Sequence, residues 1–493
     1  MERNECFLQI AESLKPTLFE RKVGVLATVG SEDYHSRKLG KGDVVTLDFG
    51  THLVGHVTLK FGYTGSHPDA PAWLRLKFAE RECELSENAE EYHGWISMGW
   101  IQQEQIHIDV LPALLELPRR YAFRYLRIEV LDVSGKYQLT LEDAFCIATT
   151  SADESKVESF QGNPRLAHLD AVACRTLREC MQDVFEDGPK RDRRLWLGDL
   201  RMQALVNYET YGDFDLVKKC LYYFAAAAGE DGAIPGCLYT EPRVEADNAR
   251  MFDYSLLFLP TLLDYYRASG DRQTLEELAP LGLKQIKLLR PCFRDDLARE
   301  EKDLGCWCFL DWTAGLDKQA GAQGVYLYSL KAAMEAARLL GHGDWASALQ
   351  EDYDRKKAAA ERLWDEKLGL YVSGPERQVS WASQIWMILG GAAHGDGALL
   401  DRVAEYPGAV GMLTPYMRHI YLDALLAVNR RDQALSELVN YWGAMADAGA
   451  DTFWEAYDPE DPEAAPYGDP IITSFCHAWS CAPAYFLRRV FSE

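Results

Sequence analysis

The segment Ser151-Ala-Asp-Glu-Ser-Lys-Val-Glu-Ser-Phe-Gln-Gly-Asn-Pro164 divides the chain into two parts with different hydrophobic patterns. It is mostly polar, and it ends on a Gly-Asn-Pro run, which interrupts both helices and strands. Short runs typical of strands precede it, and longer runs with helical spacing follow it almost to the end of the chain. We therefore predict one domain over residues 1–160 and a second over residues 161–493.

The first part is predicted to be an antiparallel β-sandwich. Residues 44–49 and 51–62 mix apolar and polar side chains, with glycines between the runs. Residues 121–131 alternate more clearly, and residues 145–150 resemble a last strand. Several short strands separated by turn residues are typical of a sandwich rather than of a parallel sheet.

The second part carries about twelve amphipathic segments of helical period, separated by clusters of Gly, Pro or Asp. They begin near Leu169, Asp199, Asp213, Phe252, Thr274, Gly324, Asp344, Ser380, Ala398, Pro415, Asp432 and Ser474. Twelve helices are the number needed for six helical hairpins closed into an (α/α)6 barrel. An open superhelix of helix pairs is the alternative, but no fixed sequence repeat supports it. The predicted fold is therefore mainly α: an N-terminal β-sandwich followed by an (α/α)6 barrel.

The composition excludes several classes of partner. The chain has 52 Lys and Arg against 76 Asp and Glu, a net charge of −24, which argues against binding to nucleic acid or to an anionic membrane. Neither a secretory leader nor an 18-residue apolar run is visible. The 12 cysteines show no metal-type spacing, so we expect reduced thiols and a cytoplasmic protein.

The stretch Asp187-Gly-Pro-Lys-Arg-Asp192-Arg-Arg-Leu-Trp196-Leu-Gly-Asp199 points to chemistry. Its Gly-Pro pair rules out one continuous helix and predicts a loop that leads into a helix near Asp199. Carboxylates beside a tryptophan suit protonation and stacking at a sugar, since glycoside hydrolysis requires an acid and a second carboxylate. The three arginines would lower the pKa of these carboxyls, whereas carboxyl crowding would raise it, and the sequence leaves that balance open.

Further groups of the same composition lie along the second part. Trp454 and Glu455 form one pair on a loop, where a base facing a sugar could lie, although Glu455 also suits a local capping role. His477 precedes Trp479 at the predicted start of the last helix, where a lone histidine is more often structural than functional. The remaining candidates pair a hydroxyl acceptor with a stacking face, and they are Asp253 with Tyr254 and Asp311 with Trp312.

Together these motifs resemble the α-L-rhamnosidases of glycoside hydrolase family 78. The resemblance covers residues 165–493 in the family's order, and the strand-rich first part resembles the sandwich module that precedes the barrel there. It implies an (α/α)6 barrel and inverting hydrolysis of terminal α-L-rhamnose without metal or cofactor. It places Asp192 as the general acid, where well-known members carry Glu, and Glu455 as the general base. It assigns the sugar pocket to Asp187, Trp196, Asp199, Asp253, Asp311, Trp312, Trp454 and His477.

The predicted substrate is a small glycoside or oligosaccharide of rhamnose or a related deoxy-sugar. Two other functions remain open from the sequence. One is a different glycosidase or a sugar phosphorylase on the same fold, since a fold hosts many activities. The other is a sugar-binding protein without catalysis, which the Asp at position 192 keeps open. A homo-oligomer is also left open by the sequence.

Overall fold

The computed structural model describes residues 4–30, 33–248, 250–393, 397–462 and 464–492. An antiparallel sheet forms the first third, and helices with short strands form the remainder. The strands of the large sheet are β1 (Phe19–Gly24), β2 (Ala27–Thr28), β3 (Val44–Gly65), β4 (Ala72–Ala79), β5 (Gln103–Ile108), β6 (Ala113–Glu116), β7 (Tyr121–Asp132) and β8 (Tyr137–Thr150). The prediction of a strand-rich part before a helical part is confirmed.

The long strand β3 organises this sheet. Its first half pairs with β7 and its second half with β8, and the strand order along the sheet is β1-β8-β3-β7-β4-β5. The register between β3 and β7 shifts between Asp48 and Leu53, where Gly50 adopts a φ of +80° that favours glycine. Alternate side chains such as Leu47, Leu59 and Phe61 are buried in a core that the sheet builds from its own residues.

The described residues form thirteen α-helices. They are α1 (Glu5–Ser13), α2 (Pro164–Cys180), α3 (Leu197–Glu209), α4 (Phe214–Ala226), α5 (Phe252–Ser269), α6 (Arg272–Leu288), α7 (Gln319–Leu339), α8 (Gly343–Ala360), α9 (Trp381–Gly390), α10 (Ala398–Glu405), α11 (Pro415–Ala427), α12 (Arg431–Asp447) and α13 (Ala482–Arg489). None of the helices in these ranges is long and apolar enough to span a membrane.

Local signals explain where these helices begin and end. Asp213 and Asp271 are N-caps whose carboxylates accept backbone N–H groups of the first turns of α4 and α6. Pro415 occupies the first turn of α11 behind the Thr414 cap. Gly270 ends α5 in the left-handed conformation that favours glycine.

Alternate helices pack on one another: α3 on α5, α5 on α7, α7 on α9, α9 on α11, and α13 on α3. The helices between them in sequence form a second series, in which α4 contacts α6 and α12 contacts α2. One large hydrophobic core joins both series. Helix α1 precedes the sheet in sequence but packs on α4, with Leu8 and Ala11 in the helical core.

The last helix begins later than predicted. The sequence indicated a start near Ser474, whereas α13 begins at Ala482. The intervening backbone bonds to other loops instead: the His477 N–H donates to the Phe453 carbonyl oxygen, and the Ala478 N–H donates to that of Asp187. His477 and Trp479 therefore precede the helix rather than open it, and tertiary hydrogen bonds decide their position.

Three short elements frame the loop that carries Asp192. Strand β9 (Leu195–Trp196) pairs with β10 (Cys237–Tyr239), and β10 pairs with β11 (Glu245–Ala246). Two further small hairpins are β12 (Phe293–Arg294) with β13 (Leu297–Ala298), and β14 (Trp364–Asp365) with β15 (Leu370–Tyr371). The sheet of β9, β10 and β11 borders the loop of residues 187–194, because β9 directly follows that loop.

Candidate active site

A pocket lies where the loops before α3, α5, α7 and α13 meet. Its lining mixes charged groups with aromatic rings, as binding sites for small polar molecules do. It is lined by Asp187, Arg191, Asp192, Trp196, Asp199, Met251, Tyr254, Trp307, Phe309, Trp312, Glu455, Tyr467, His477 and Trp479. Both carboxylates to which the sequence assigned catalysis therefore face one cavity, although 263 positions separate them in the chain.

The loop from Asp187 to Arg194 is held in shape by the Asp187 carboxylate. This buried side chain accepts the backbone N–H of Asp192 at 3.0 Å and that of Arg194 at 3.1 Å. A Cβ at Gly188 would lie 2.5 Å from the Arg191 carbonyl oxygen, so the turn requires glycine there. Burial and the neighbouring Asp192 raise the pKa of Asp187 to about 8, which keeps this carboxyl largely neutral at pH 7.

Asp192 is the most exposed of the four pocket carboxyl groups. Its side chain is 21% exposed, whereas those of Glu455 and Asp199 are each 2% exposed. The Asp192 carboxylate lies 3.9 Å from Nη1 of Arg191 and 3.8 Å from Nη1 of Arg194. The pocket therefore opens to solvent beside Asp192.

Glu455 is buried and held by two donors. Arg191 forms an ion pair with Oε2, and the Tyr467 hydroxyl donates to Oε1 at 2.5 Å. Burial alone would raise the pKa of Glu455, but the positive charges of Arg191 and His477 outweigh it and hold the pKa below its ordinary value. Glu455 is therefore ionised at neutral pH and can accept a proton.

The guanidinium group of Arg191 stands between Asp192 and Glu455. One of its terminal nitrogens faces each carboxylate, and its plane lies over the Tyr467 ring at 4.1 Å. The sequence left open whether the arginines or the crowding of carboxyl groups would dominate the pKa values in the acidic cluster. The structure assigns Arg191 to Glu455, whereas Arg193 turns away and donates to the carbonyl oxygens of Pro189 and Arg120.

A second buried pair forms the floor of the pocket. Nε2 of His477 lies 3.2 Å from the Asp199 carboxylate. Burial opposes protonation of His477, but this carboxylate and Glu455 nearby raise its pKa above the ordinary value. Nδ1 of His477 is buried without a hydrogen-bond partner among the described residues, so it can bond to a ligand hydroxyl.

Aromatic rings complete the walls. Phe309 and Trp479 stack with centroids 5.6 Å apart, and Trp312 packs edge-on against Phe309. The indole N–H of Trp479 donates to the Glu455 carbonyl oxygen and so fixes that backbone. Trp307 stands at the rim, 39% exposed. Flat rings around hydroxyl acceptors form a surface suited to a sugar.

Seven of the ten residues that the sequence assigned to the site line this pocket, and three do not. Asp253 is buried behind the wall and accepts the N–H groups of Phe309 and Leu310. Asp311 accepts the N–H groups of Leu413 and Thr414. Trp454 packs against Arg81, whose guanidinium carbon lies 4.2 Å from the centroid of the Trp454 ring. These three residues hold the loops of the pocket wall in place. The two carboxylates accept backbone N–H groups, and the indole ring of Trp454 packs against a cation.

The sequence missed five lining residues as site candidates: Arg191, Met251, Trp307, Phe309 and Tyr467. Arg191 is one of several cations in a charged run, and Tyr467 lies in a loop between prolines and glycines. No spacing distinguishes either residue from its neighbours.

Among the described residues, no group of three or more His, Cys, Asp or Glu side chains could hold a metal ion.

The N-terminal sheet supports the loop of residues 187–194 through a buried ion cluster. Lys190 donates to Glu84 at 2.5 Å and to the Thr473 carbonyl oxygen, and it lies 3.3 Å from Glu80. Glu80 in turn accepts the N–H of Phe475 at 2.7 Å. One cluster thus ties the end of β4 and the residues that follow it to two of the chain segments that form the pocket, those of Lys190 and of Thr473.

We expect the substitution Lys190→Met to lower the free energy of unfolding by about 3–5 kcal/mol, because it leaves Glu84 buried without its cation, whereas Glu80 keeps its pair with His52. Urea unfolding followed by circular dichroism measures this change. The matched control is Lys60→Met, since Lys60 forms a pair with Glu142 in which both side chains are exposed. Equal stability of the Lys190 variant and the wild type would contradict a supporting role for the cluster.

Comparison with known proteins agrees with this geometry. Residues 17–148 match the model of the glycosyl hydrolase family 78 α-rhamnosidase N-terminal domain. Residues 156–491 match the model of the bacterial α-L-rhamnosidase six-hairpin glycosidase domain. No curated protein sequence matches the chain.

Solved structures show the same similarity. A rhamnosidase from Klebsiella oxytoca with rhamnose bound is 43% identical, with a TM-score of 0.95 and coverage of 99% of both chains. A family 78 rhamnosidase of Bacillus sp. GL1 is 22% identical, with a TM-score of 0.76, and the match covers 90% of this chain and 46% of that one. The α-L-rhamnosidase of Streptomyces avermitilis complexed with L-rhamnose is 19% identical, with a TM-score of 0.68, covering 96% and 44%. The last two show the fold alone.

Proposed function

Because this chain belongs to the family 78 α-L-rhamnosidases, which are glycosidases, we propose that it is an inverting exo-enzyme that removes terminal α-L-rhamnose from small glycosides. The family resemblance predicted from the sequence is thereby confirmed. The observation that carries the proposal is the pair Asp192 and Glu455, two carboxylates that face one small pocket with Arg191 between them.

The proposed reaction uses these two groups in opposite roles. Asp192 donates its proton to the glycosidic oxygen as the bond to the anomeric carbon breaks. Glu455 takes a proton from a water, whose oxygen bonds to that carbon from the other face. The products are rhamnose and the alcohol of the leaving group, and both carboxyl groups then return to their starting states by exchange with solvent.

The position of Arg191 between the two carboxylates supports inversion. A guanidinium group between the carboxylates keeps them out of direct contact, and inverting enzymes hold theirs about 6.5–9.5 Å apart to admit a water. The environments of the two groups also suit their roles. Glu455 is buried and ionised, so it can accept a proton, whereas Asp192 lies at the open side of the pocket, where a leaving group can reach it. His477, with its free Nδ1, would bind a sugar hydroxyl, while Trp312 and Trp479 would face the ring.

The architecture and location follow as parts of the same proposal. Alternate packing of α3, α5, α7, α9, α11 and α13 supports a closed (α/α)6 barrel of six hairpins, with the sheet over residues 1–160 as a sandwich that braces it. The twelve free cysteines support a reducing compartment such as the cytoplasm. The small pocket supports a small glycoside as the substrate.

Proton NMR during hydrolysis of an aryl α-L-rhamnoside tests the proposal. We expect β-L-rhamnose as the first product, before mutarotation, at a rate independent of phosphate. First-formed α-L-rhamnose would indicate retention and a carboxylate nucleophile. Phosphate-dependent release of rhamnose 1-phosphate would indicate a phosphorylase, and binding without turnover a sugar-binding protein.

The acidic side of the pH profile is expected to depend on Tyr467. Its hydroxyl donates to Glu455 and stabilises the ionised form of that carboxylate. The acidic limb of kcat/KM should therefore lie below pH 4.5, the ordinary pKa of a glutamate side chain. Tyr467→Phe removes that donor and raises the pKa of Glu455, so activity should be lost at a higher pH as the solution is acidified. The alkaline limb serves as the internal control, and an unmoved acidic limb would contradict the contact's role.

A further inference from the structure

The surface beside Asp192, just outside the pocket, is the place to look for contacts with a leaving group. A proton donor must touch the oxygen that leaves, so the leaving group lies against whatever surrounds the open face of Asp192. The neighbour on that side is Arg194, whose side chain is 22% exposed and lies 3.8 Å from the Asp192 carboxylate. Glu455 and Tyr467 lie on the other side of the pocket, where the attacking water would bind.

Arg194 lies on an aromatic platform. Its guanidinium carbon is 4.4 Å from the ring centroid of Tyr239, which is 36% exposed. Tyr239 ends β10, and Cys237 and Leu238 on this strand pair with Trp196 and Leu195 of β9, which directly follow Arg194. The register therefore holds the Tyr239 ring beside the loop that carries Asp192.

From this arrangement we infer that Tyr239 and Arg194 form the subsite for the leaving group, which takes a ring that lays an apolar face on the tyrosine and turns its hydroxyl edge to the arginine. A sugar and a phenol both meet this description. The inference rests on the proposed function, because it places the leaving group by the role of Asp192.

A different aromatic side chain at the rim provides a contrast. Trp95 is 68% exposed, and its ring centroid lies 5.4 Å from that of Tyr467. The Tyr467 hydroxyl in turn donates to Glu455, the proposed base. Trp95 is therefore on the side from which the water attacks. Of these two exposed rings, Tyr239 is the one that contacts Arg194 beside the proton donor.

The variant Tyr239→Ala tests the subsite against three substrates: α-L-rhamnosyl fluoride, a phenyl α-L-rhamnoside and a rhamnosyl-glucose disaccharide. We expect kcat/KM to fall about tenfold for one or both ring-bearing substrates, which is the effect of losing a stacked ring. The fluoride, whose leaving group has no ring, should react as with the wild type, and the inhibition constant of free L-rhamnose should not change. Tyr239→Phe should retain wild-type values if the ring face is what binds.

The substrate that loses turnover identifies the ring. A loss confined to the phenyl glycoside indicates a phenolic leaving group, and one confined to the disaccharide indicates a sugar. No loss, an equal loss on all three substrates with weaker rhamnose inhibition, or a selective loss in Trp95→Ala instead would each overturn the assignment. If the wild-type protein hydrolyses none of the three, the proposed function itself fails, and the subsite fails with it.

Discussion

Replacing Asp192 with asparagine is expected to lower kcat/KM for a disaccharide of α-L-rhamnose by about 10²–10⁴-fold, the usual contribution of a positioned proton donor. The amide has the shape of the carboxyl group but no proton to give, so the departing sugar alkoxide must leave unassisted. The loss should shrink for substrates whose leaving group is acidic, because such a group needs little protonation. A series of aryl α-L-rhamnosides measures this dependence as a steep slope against the pKa of the phenol.

Two measurements separate this effect from damage to the pocket. Free L-rhamnose should inhibit or bind the Asp192→Asn protein as well as the wild type, because Arg191 and Asp187 keep their own partners. Asp192→Glu, which restores a proton donor one methylene longer, should recover part of the activity. Undiminished hydrolysis of the disaccharide by the asparagine variant would remove Asp192 from the role of acid.

The substitution Glu455→Gln should cost about 10²–10⁴-fold in kcat, but with a different signature. Every substrate requires an activated water, so the loss should be similar for a disaccharide, a phenyl glycoside and the fluoride. The acidic limb attributed to Glu455 should also disappear from the pH profile. A loss that varied with the leaving group, as for Asp192, would show that the two roles are assigned the wrong way round.

The Glu455→Gln substitution is also expected to affect the stability of the protein. Glutamine leaves the guanidinium group of Arg191 buried without its carboxylate, although Tyr467 can still donate to the amide oxygen. We therefore expect a lower unfolding temperature as well as lower activity. Thermal unfolding followed by circular dichroism, with L-rhamnose binding as a second readout, shows whether the inactive protein is folded at the assay temperature.

The sequence predicted the helical part well because its signals are local. Asp213 was expected to begin a helix and is the N-cap of α4, and the expected start at Pro415 is the first residue of α11. Caps, prolines and hydrophobic period act within a few residues. The start at Ser474 was wrong, because hydrogen bonds to Phe453 and Asp187 keep the backbone before Ala482 out of the helix.

The candidate site was predictable to a similar degree and for similar reasons. Unusual local composition located the loops of Asp192, Glu455 and His477, and these loops do meet. The same composition also selected Asp253, Asp311 and Trp454, whose side chains hold other loops. A carboxylate that accepts backbone N–H groups and one that faces a cavity are alike in sequence, since the difference lies in distant partners.

By itself the sequence determined the order of sheet and helices, the family, and which loops carry acidic and aromatic side chains, since these properties depend on neighbouring residues and on motif order. Only the tertiary structure decided that Arg191 pairs with Glu455, that Lys190 anchors its loop to the sheet, and that Tyr239 lies beside Arg194. Each of these contacts joins chain segments far apart. Charge and ring contacts act over a few ångströms of space, and separation along the chain does not encode them.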